Sequence, residues 1–189
     1  MALRGGGTES GTGAGVTIDG IAALLPALRR HARAMLGDAA AADDLVQDVL
    51  ERALATRAQW RGEGSLKGWL FRIMVNLHRD GLRRQAARVR LVQTDSLPER
   101  AVSGGQDGHL RLREVEAAMQ RLPEDQRQAL LLVAIEGLSL SEAAAVVEVP
   151  EGTLVSRLGR ARAALREMTG ETPEPRPGAR RVMDGSGRQ

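Results

Sequence analysis

The residues with the most chemistry to offer lie in the stretch 139–165, SLSEAAAVVEVPEGTLVSRLGRARAAL. Leu154, Leu158, Ala161 and Leu165 recur at spacings of 4, 3 and 4, which predicts a helix from about residue 151 to 168 with that stripe inward. The outward positions are then Thr153, Ser156, Arg157, Arg160 and, further round, Arg162. Hydroxyls and guanidinium groups on one helix face can bond phosphates and read base edges, above all Arg on guanine. The residues upstream are those that could present such a face to a groove. Ser139 or Ser141 caps a short helix, Glu142–Val147, and Ala143, Ala144 and Ala145 let two helices cross closely. Glu148-Val149-Pro150 forms the turn, and Pro150 pre-sets the backbone entering the last helix. Gly152 and Thr153 keep its first turn slim enough for a major groove. A short helix, a tight turn and a longer helix with an arginine face are a helix-turn-helix. A solvated arginine face on an ordinary bundle helix explains the charges but not the turn.

A second group of candidates lies in the first half. From Leu66 to Arg90 the cations are Lys67, Arg72, Arg79, Arg83, Arg84, Arg88 and Arg90 against Asp80, a net +6. From Asp38 to Gln59, Asp38, Asp43, Asp44, Asp48 and Glu51 face Arg52 and Arg57, a net −3. The basic segment suits nucleic acid and the acidic one a protein surface. Packing the two against each other would neutralise some pairs, but not the run Arg79–Arg90.

Helical elements must position these groups. Ile21, Leu24, Leu25, Leu28, Ala32, Met35 and Leu36 predict a first helix that Gly37 ends. Asp38 caps a second, burying Leu45, Val49, Leu50, Ala53 and Leu54. After the break Arg61-Gly62-Glu63-Gly64, Ser65 caps a third, with the stripe Leu66, Trp69, Leu70, Ile73, Met74 and Leu77 running toward Arg90. Residues 91–109 hold Pro98, Gly104, Gly105 and Gly108 and read as a flexible linker. Leu112, Val115, Met119 and Leu122 mark the next helix, and Pro123 suits the first turn of the one after, which carries Ala129 to Ile135 and stops at Gly137. No segment reads as a strand. The expected fold is all-α: two small helical domains, 18–90 and 110–168, joined by a flexible linker, the second a helix-turn-helix. Residues 1–17 and 169–189 read as disordered tails. The glycines of residues 1–17 are no phosphate loop, since no strand precedes them and no Lys-Ser/Thr pair follows.

Composition narrows the function. Aromatic residues are 2% of the 189, with no Tyr, which argues against aromatic platforms for stacking bases. There is no Cys, and His31, His78 and His109 lie far apart, so neither a metal site, a cofactor nor a nucleophilic active site is expected. No apolar run approaches the ~20 residues of a membrane span, and no secretory signal is legible, so the cytoplasm is the expected compartment. Net charge is +3, and all but one of the 27 basic residues are Arg.

Several motifs resemble one family. Asp43-Asp44-Leu45-Val46-Gln47-Asp48, Ser65-Leu66-Lys67-Gly68-Trp69-Leu70-Phe71-Arg72-Ile73, Asn76-Leu77 and Leu82-Arg83-Arg84 are similar to the first conserved domain of extracytoplasmic function sigma factors, the small group of the bacterial sigma-70 family. Leu122-Pro123-Glu124, Glu136-Gly137-Leu138-Ser139, Glu142-Ala143-Ala144 and the run Pro150–Arg162 resemble the second. The resemblance implies a subunit that binds the RNA polymerase core, through clamp helices and flap of the large subunits, directs it to promoter DNA and helps melt it. It implies core-polymerase contacts at Asp44, Gln47, Asp48 and Glu51. It implies minus-10 contacts at Arg72, Asn76, Arg79, Arg83 and Arg84, where Asn76, the only asparagine, offers donor and acceptor to an unpaired base. It implies minus-35 contacts at Thr153, Ser156, Arg157, Arg160 and Arg162, and an anti-sigma factor as a further partner. Val155 and Gly159 depart from the family pattern, where larger or basic residues stand. Trp69 falls in the core stripe and is expected to pack rather than to read DNA.

The linker agrees with this reading. Extended, residues 91–109 reach about 60 Å, or roughly 17 base-pair steps, so one chain can engage two separated elements. The alternative is a sigma-like decoy that binds an anti-sigma factor and no DNA. It has no need of Arg157, Arg160 and the Arg79–Arg90 run. An ordinary helix-turn-helix repressor has no need of the motifs in the first domain.

Overall fold

The computed structural model describes residues 16–60, 62, 64–91 and 110–170, and not the side chains of 89–91 and 110–113. The expected linker and tails therefore lie outside the described residues apart from their edges, as do the side chains of Arg90 and Leu112. Everything described is helix, turn or coil, with no strand among those residues. The helices are α1 (Ile18–Leu36), α2 (Ala39–Thr56), α3 (Leu66–Leu91), α4 (Leu110–Arg121), α5 (Glu124–Leu130), α6 (Leu140–Val147) and α7 (Glu151–Thr169). A 3-10 turn, Arg57–Gln59, follows α2, and a π turn, Leu131–Ile135, continues α5.

Local chemistry sets the helix ends. The Asp38 carboxylate accepts from the Ala41 N–H at 2.7 Å, and the Ser65 hydroxyl from the Gly68 N–H at 3.1 Å. Gly37 closes α1 at φ 69°, the left-handed backbone that a residue without Cβ adopts freely. Ser139, not Ser141, caps α6, and α6 begins at Leu140, two residues earlier than expected. Pro123 stands at the N-cap of α5 with extended backbone (φ −51°, ψ 141°) rather than inside its first turn. The proline ring fixes φ but leaves ψ free, so it can sit just before a helix as well as inside it.

One apolar core runs through both halves of the chain. It joins Leu28, Met35, Val49, Phe71 and Met74 of the first block to Leu131, Leu132, Val146, Leu154 and Leu158 of the second. Helix α3 lies between α2 and α6 and so is covered on two sides. That explains why Phe71 and Val75, outside the expected stripe, are fully buried with Leu70 and Met74. Two residues expected inside are outside. Leu54 is 45% exposed because α2 packs against α1 and α3 on one side only, and Val115 is 39% exposed on the outer side of α4. Trp69 is half-buried, its ring 6.2 Å from that of Trp60, as its place in the stripe requires.

Polar groups are buried where the blocks meet. The Glu136 side chain has no exposure, and Arg30 of α1 donates to its two oxygens at 3.3 and 2.8 Å. Lys67 of α3 lies 3.4 Å from the same carboxylate and donates to the Glu136 carbonyl. The π turn delivers Glu136 there: its N–H bonds the Leu131 carbonyl, five residues back, at 3.0 Å. A second cluster joins His78 of α3 to Glu124 at 2.9 Å, with Arg127 and Gln128 also on that carboxylate. Gln120 of α4 donates to the Ala34 carbonyl at 2.8 Å.

His31 is fully buried against the Phe71 ring, 4.8 Å between centroids, with no hydrogen-bond partner on either nitrogen. Burial first, then the charges of Arg30 and Lys67, push its pKa down to about 3. Burial opposes ionisation of Glu124, but the His78 bond and the Arg127 charge outweigh it and bring that pKa to about 2. The signs agree. Below pH 6.5 the unfolded chain takes up a proton at His31 that the fold refuses, and below 4.5 the same begins at Glu124. Stability should therefore fall from pH 7 to pH 5 by at most about 1.4 kcal/mol per unit from His31. Urea midpoints over that range measure it, and His31→Leu should flatten the slope; a flat wild-type curve would contradict a neutral, buried His31.

Candidate nucleic-acid interface

Helices α6 and α7 and the turn between them form the most regular surface. At the start of α6 the Ser139 hydroxyl accepts from the Glu142 N–H at 3.2 Å, while the Glu142 carboxylate accepts from the Ser139 N–H at 3.0 Å. The carboxylate accepts from the Ser139 N–H, from the Ser139 hydroxyl at 2.8 Å and from the Ser65 hydroxyl at 3.1 Å, and these bonds hold the Glu142 carboxyl below the usual carboxylate range. Glu148 turns the chain and Pro150 sits at the N-cap of α7. Leu154, Leu158 and Ala161 are buried, so the inward stripe of α7 is as expected.

The outward positions and flanks of α7 hold the candidate minus-35 residues. Thr153, Ser156, Arg160 and Arg162 are exposed. Arg160 donates to the Ser156 hydroxyl at 2.9 Å, which sets its guanidinium along the helix. Arg157 differs: it is half-buried, and its Nε lies 3.1 Å from the Asp125 carboxylate of α5. Asp125, which the sequence reading did not single out, thus fixes a candidate reading residue from a neighbouring helix. Val155 is 46% exposed on the same surface, and a Cβ at Gly159 would meet nothing within 4 Å. Those two positions form a smooth, apolar gap between the polar groups.

The candidate minus-10 residues lie on α3. Positions 68, 72, 76 and 79 share one stripe of the helix, and that stripe faces α6. Arg72 pairs with Glu148 of the α6–α7 turn, and Arg79 donates to the Val147 carbonyl at 3.1 Å. Asn76 is half-buried between them. Further along, Arg83 and Arg84 are exposed, with local contacts to Asp80 at 3.6 and 3.3 Å. The structure thus splits the five: three lie at the junction of the blocks and two face solvent.

On α2, Asp44, Gln47, Asp48 and Glu51 are all exposed and share one face, with Gln47 donating to Glu51 at 3.1 Å. Leu54 extends the same face by one turn. Its place in an apolar repeat concealed it in the sequence; only the side on which α2 packs brings it out. The three candidate surfaces are therefore two basic and one acidic with an apolar end. Among the described residues no group of three His, Cys, Asp or Glu could hold a metal ion, and no helix is long and apolar enough to cross a membrane.

Comparison with known proteins follows the same division. The family described as the Sigma2 domain of PhyR matches residues 21–75, and the family described as Sigma-70, region 4 matches residues 112–165. The ECF RNA polymerase sigma factor EcfG of Rhodopseudomonas palustris is 40% identical over 147 residues, covering 78% of this chain and 81% of that protein. Among solved structures, the sigma factor RpoE of Bartonella quintana, in complex with the anti-sigma factor NepR, superposes with a TM-score of 0.74 at 32% identity. That match covers 82% of this chain and 97% of RpoE. The anti-anti-sigma factor PhyR of the same organism, also complexed with NepR, shares the fold at a TM-score of 0.53 and 20% identity, over 78% of this chain and 48% of PhyR.

Proposed function

The chain belongs to the ECF RNA polymerase sigma factors, and on that premise we propose that it binds core RNA polymerase and selects promoters through minus-35 and minus-10 elements. The observation that carries the reading is the outer face of α7. Thr153, Ser156, Arg160 and Arg162 are exposed on a helix whose N-terminus is presented by a tight turn, the geometry that enters a major groove. In this reading residues 110–168 dock at the minus-35 element and residues 18–90 at the minus-10 element. Arg72, Asn76, Arg79, Arg83 and Arg84 hold the opened strand, and the linker 91–109 spans the distance. The exposed acidic face of α2, Asp44, Gln47, Asp48 and Glu51, meets the polymerase clamp helices, and the second block meets the flap. Leu54, 45% exposed, adds apolar area for burial at the end of that face. An anti-sigma factor is the expected regulator, as NepR is found on the B. quintana relative. The work is cytoplasmic, and the polymerisation chemistry belongs to the core enzyme.

The rival reading, a decoy that binds an anti-sigma factor without DNA, is favoured by the match of residues 21–75 to the PhyR domain. The exposed Arg160, Arg162, Arg83 and Arg84 weigh against it, since a decoy has no phosphate to meet.

Run-off transcription with added core polymerase over a promoter library separates the two. Start-site selection supports a sigma factor; a chain that binds NepR-like partners but confers no start sites is a decoy. Within the first reading, Arg160→Ala should weaken minus-35 binding by ~1–3 kcal/mol, and an unchanged footprint over that element would remove Arg160 from the interface. Asn76→Ala should leave duplex binding intact and reduce permanganate reactivity of minus-10 thymines; normal reactivity would exclude the base-reading role.

A further inference from the structure

The turn between α6 and α7 contains a backbone anomaly. Glu148 has φ 57° and ψ 48°, and it is the one non-glycine residue with positive φ among those described. An L residue with a Cβ is disfavoured there, and glutamate lacks the short polar side chain with which Asn or Asp offsets the cost. The left-handed residue is the C-cap of α6, with its N–H and that of Val149 both on the Ala144 carbonyl. Its side chain is exposed, and its carboxylate has a specific partner. Arg72, on α3 of the other block, donates to one Glu148 oxygen through Nε at 2.9 Å and Nη2 at 2.6 Å. Two turns along α3, Arg79 donates to the Val147 carbonyl, in the last turn of α6, where the helix dipole is negative. The end of α6 thus offers a carboxylate and a carbonyl, side by side, to two arginines. Arginines bind the anionic oxygens of a nucleic-acid backbone through the same charge-assisted hydrogen bonds.

We propose that Glu148 is a stand-in for a DNA phosphate. In the closed arrangement it occupies Arg72, and the α6 terminus occupies Arg79, so promoter DNA must displace the chain's own second block before the first can read it. The inference rests on the assignment of Arg72 and Arg79 to minus-10 contact. Both members of the Arg72–Glu148 pair are about half exposed, at 55% and 46%. The contact is therefore a bias that DNA can overcome rather than a lock.

The test uses the full chain and a short fluorescein-labelled single-stranded oligonucleotide of mixed sequence. Glu148→Asn and Glu148→Gly both suit a left-handed turn and carry no charge. Each should bind the oligonucleotide about two- to fivefold more tightly than the wild type, as expected for release of a half-exposed ion pair. Thermal midpoints should stay level or rise. In an Arg72→Ala background the gain should vanish, because the partner is gone. Unchanged affinity in both Glu148 variants overturns the proposal. So does a gain of equal size without Arg72, which marks removal of a negative charge anywhere on the surface, and so does a fall in midpoint with no gain, which marks a turn residue alone. Wild-type run-off transcription is measured alongside: success there with a failed Glu148 test sinks the mask only, whereas its absence sinks the assignment beneath it.

Discussion

The Glu136 carboxylate has no contact with solvent, and Arg30 and Lys67 reach it from the other block. A single buried anion removed from its partners is costly, so the fold that contains Glu136 in this place also requires the two halves of the chain to be together. The π turn is the local device that makes this possible. One extra residue in the α5 ladder rotates the chain and aims Glu136 back at α1 and α3. The second cluster, His78 with Glu124 and Arg127, repeats the pattern further along α3.

Because α3 supplies Lys67, Arg72, His78 and Arg79 to this junction, it is the element on which both structure and function converge. Its apolar side completes the core, and its polar stripe makes the contacts to the second block. In the proposed function that stripe must also meet DNA. One helix surface cannot do both at once, so the closed arrangement and the promoter-bound one exclude each other for Arg72 and Arg79. The outer face of α7 has no such conflict. Thr153, Ser156, Arg160 and Arg162 are exposed, so in the proposed function they stay accessible while Arg72 and Arg79 are covered.

Helix ends and inward stripes were legible in the sequence because they are short-range. Asp38, Ser65 and Gly37 do what their side chains, or lack of one, dictate within a few residues. The stripe of α7 is legible for the same reason: only one side of that helix is covered. For α3 the periodic reading found Leu70 and Met74 but not Phe71 and Val75, because a helix covered on two sides has a wider apolar arc than a single stripe reveals. Leu54 erred the other way. It continues the apolar repeat of α2, yet no element lies over it. Pro26, inside α1, would ordinarily suggest a break; the helix continues through it on an exposed face.

What the amino-acid order determined alone is the all-helical class, the helix-turn-helix with its arginine face, and the charge contrast between α2 and α3. Each depends on the 3.6-residue period and on side-chain type, which are local quantities. What only the tertiary structure decided is which charges are spent inside the molecule. Glu136 with Arg30, Glu148 with Arg72 and Asp125 with Arg157 are pairings between helices. The strength of such a pair depends on separation and on access of water, and neither exists until distant helices have packed.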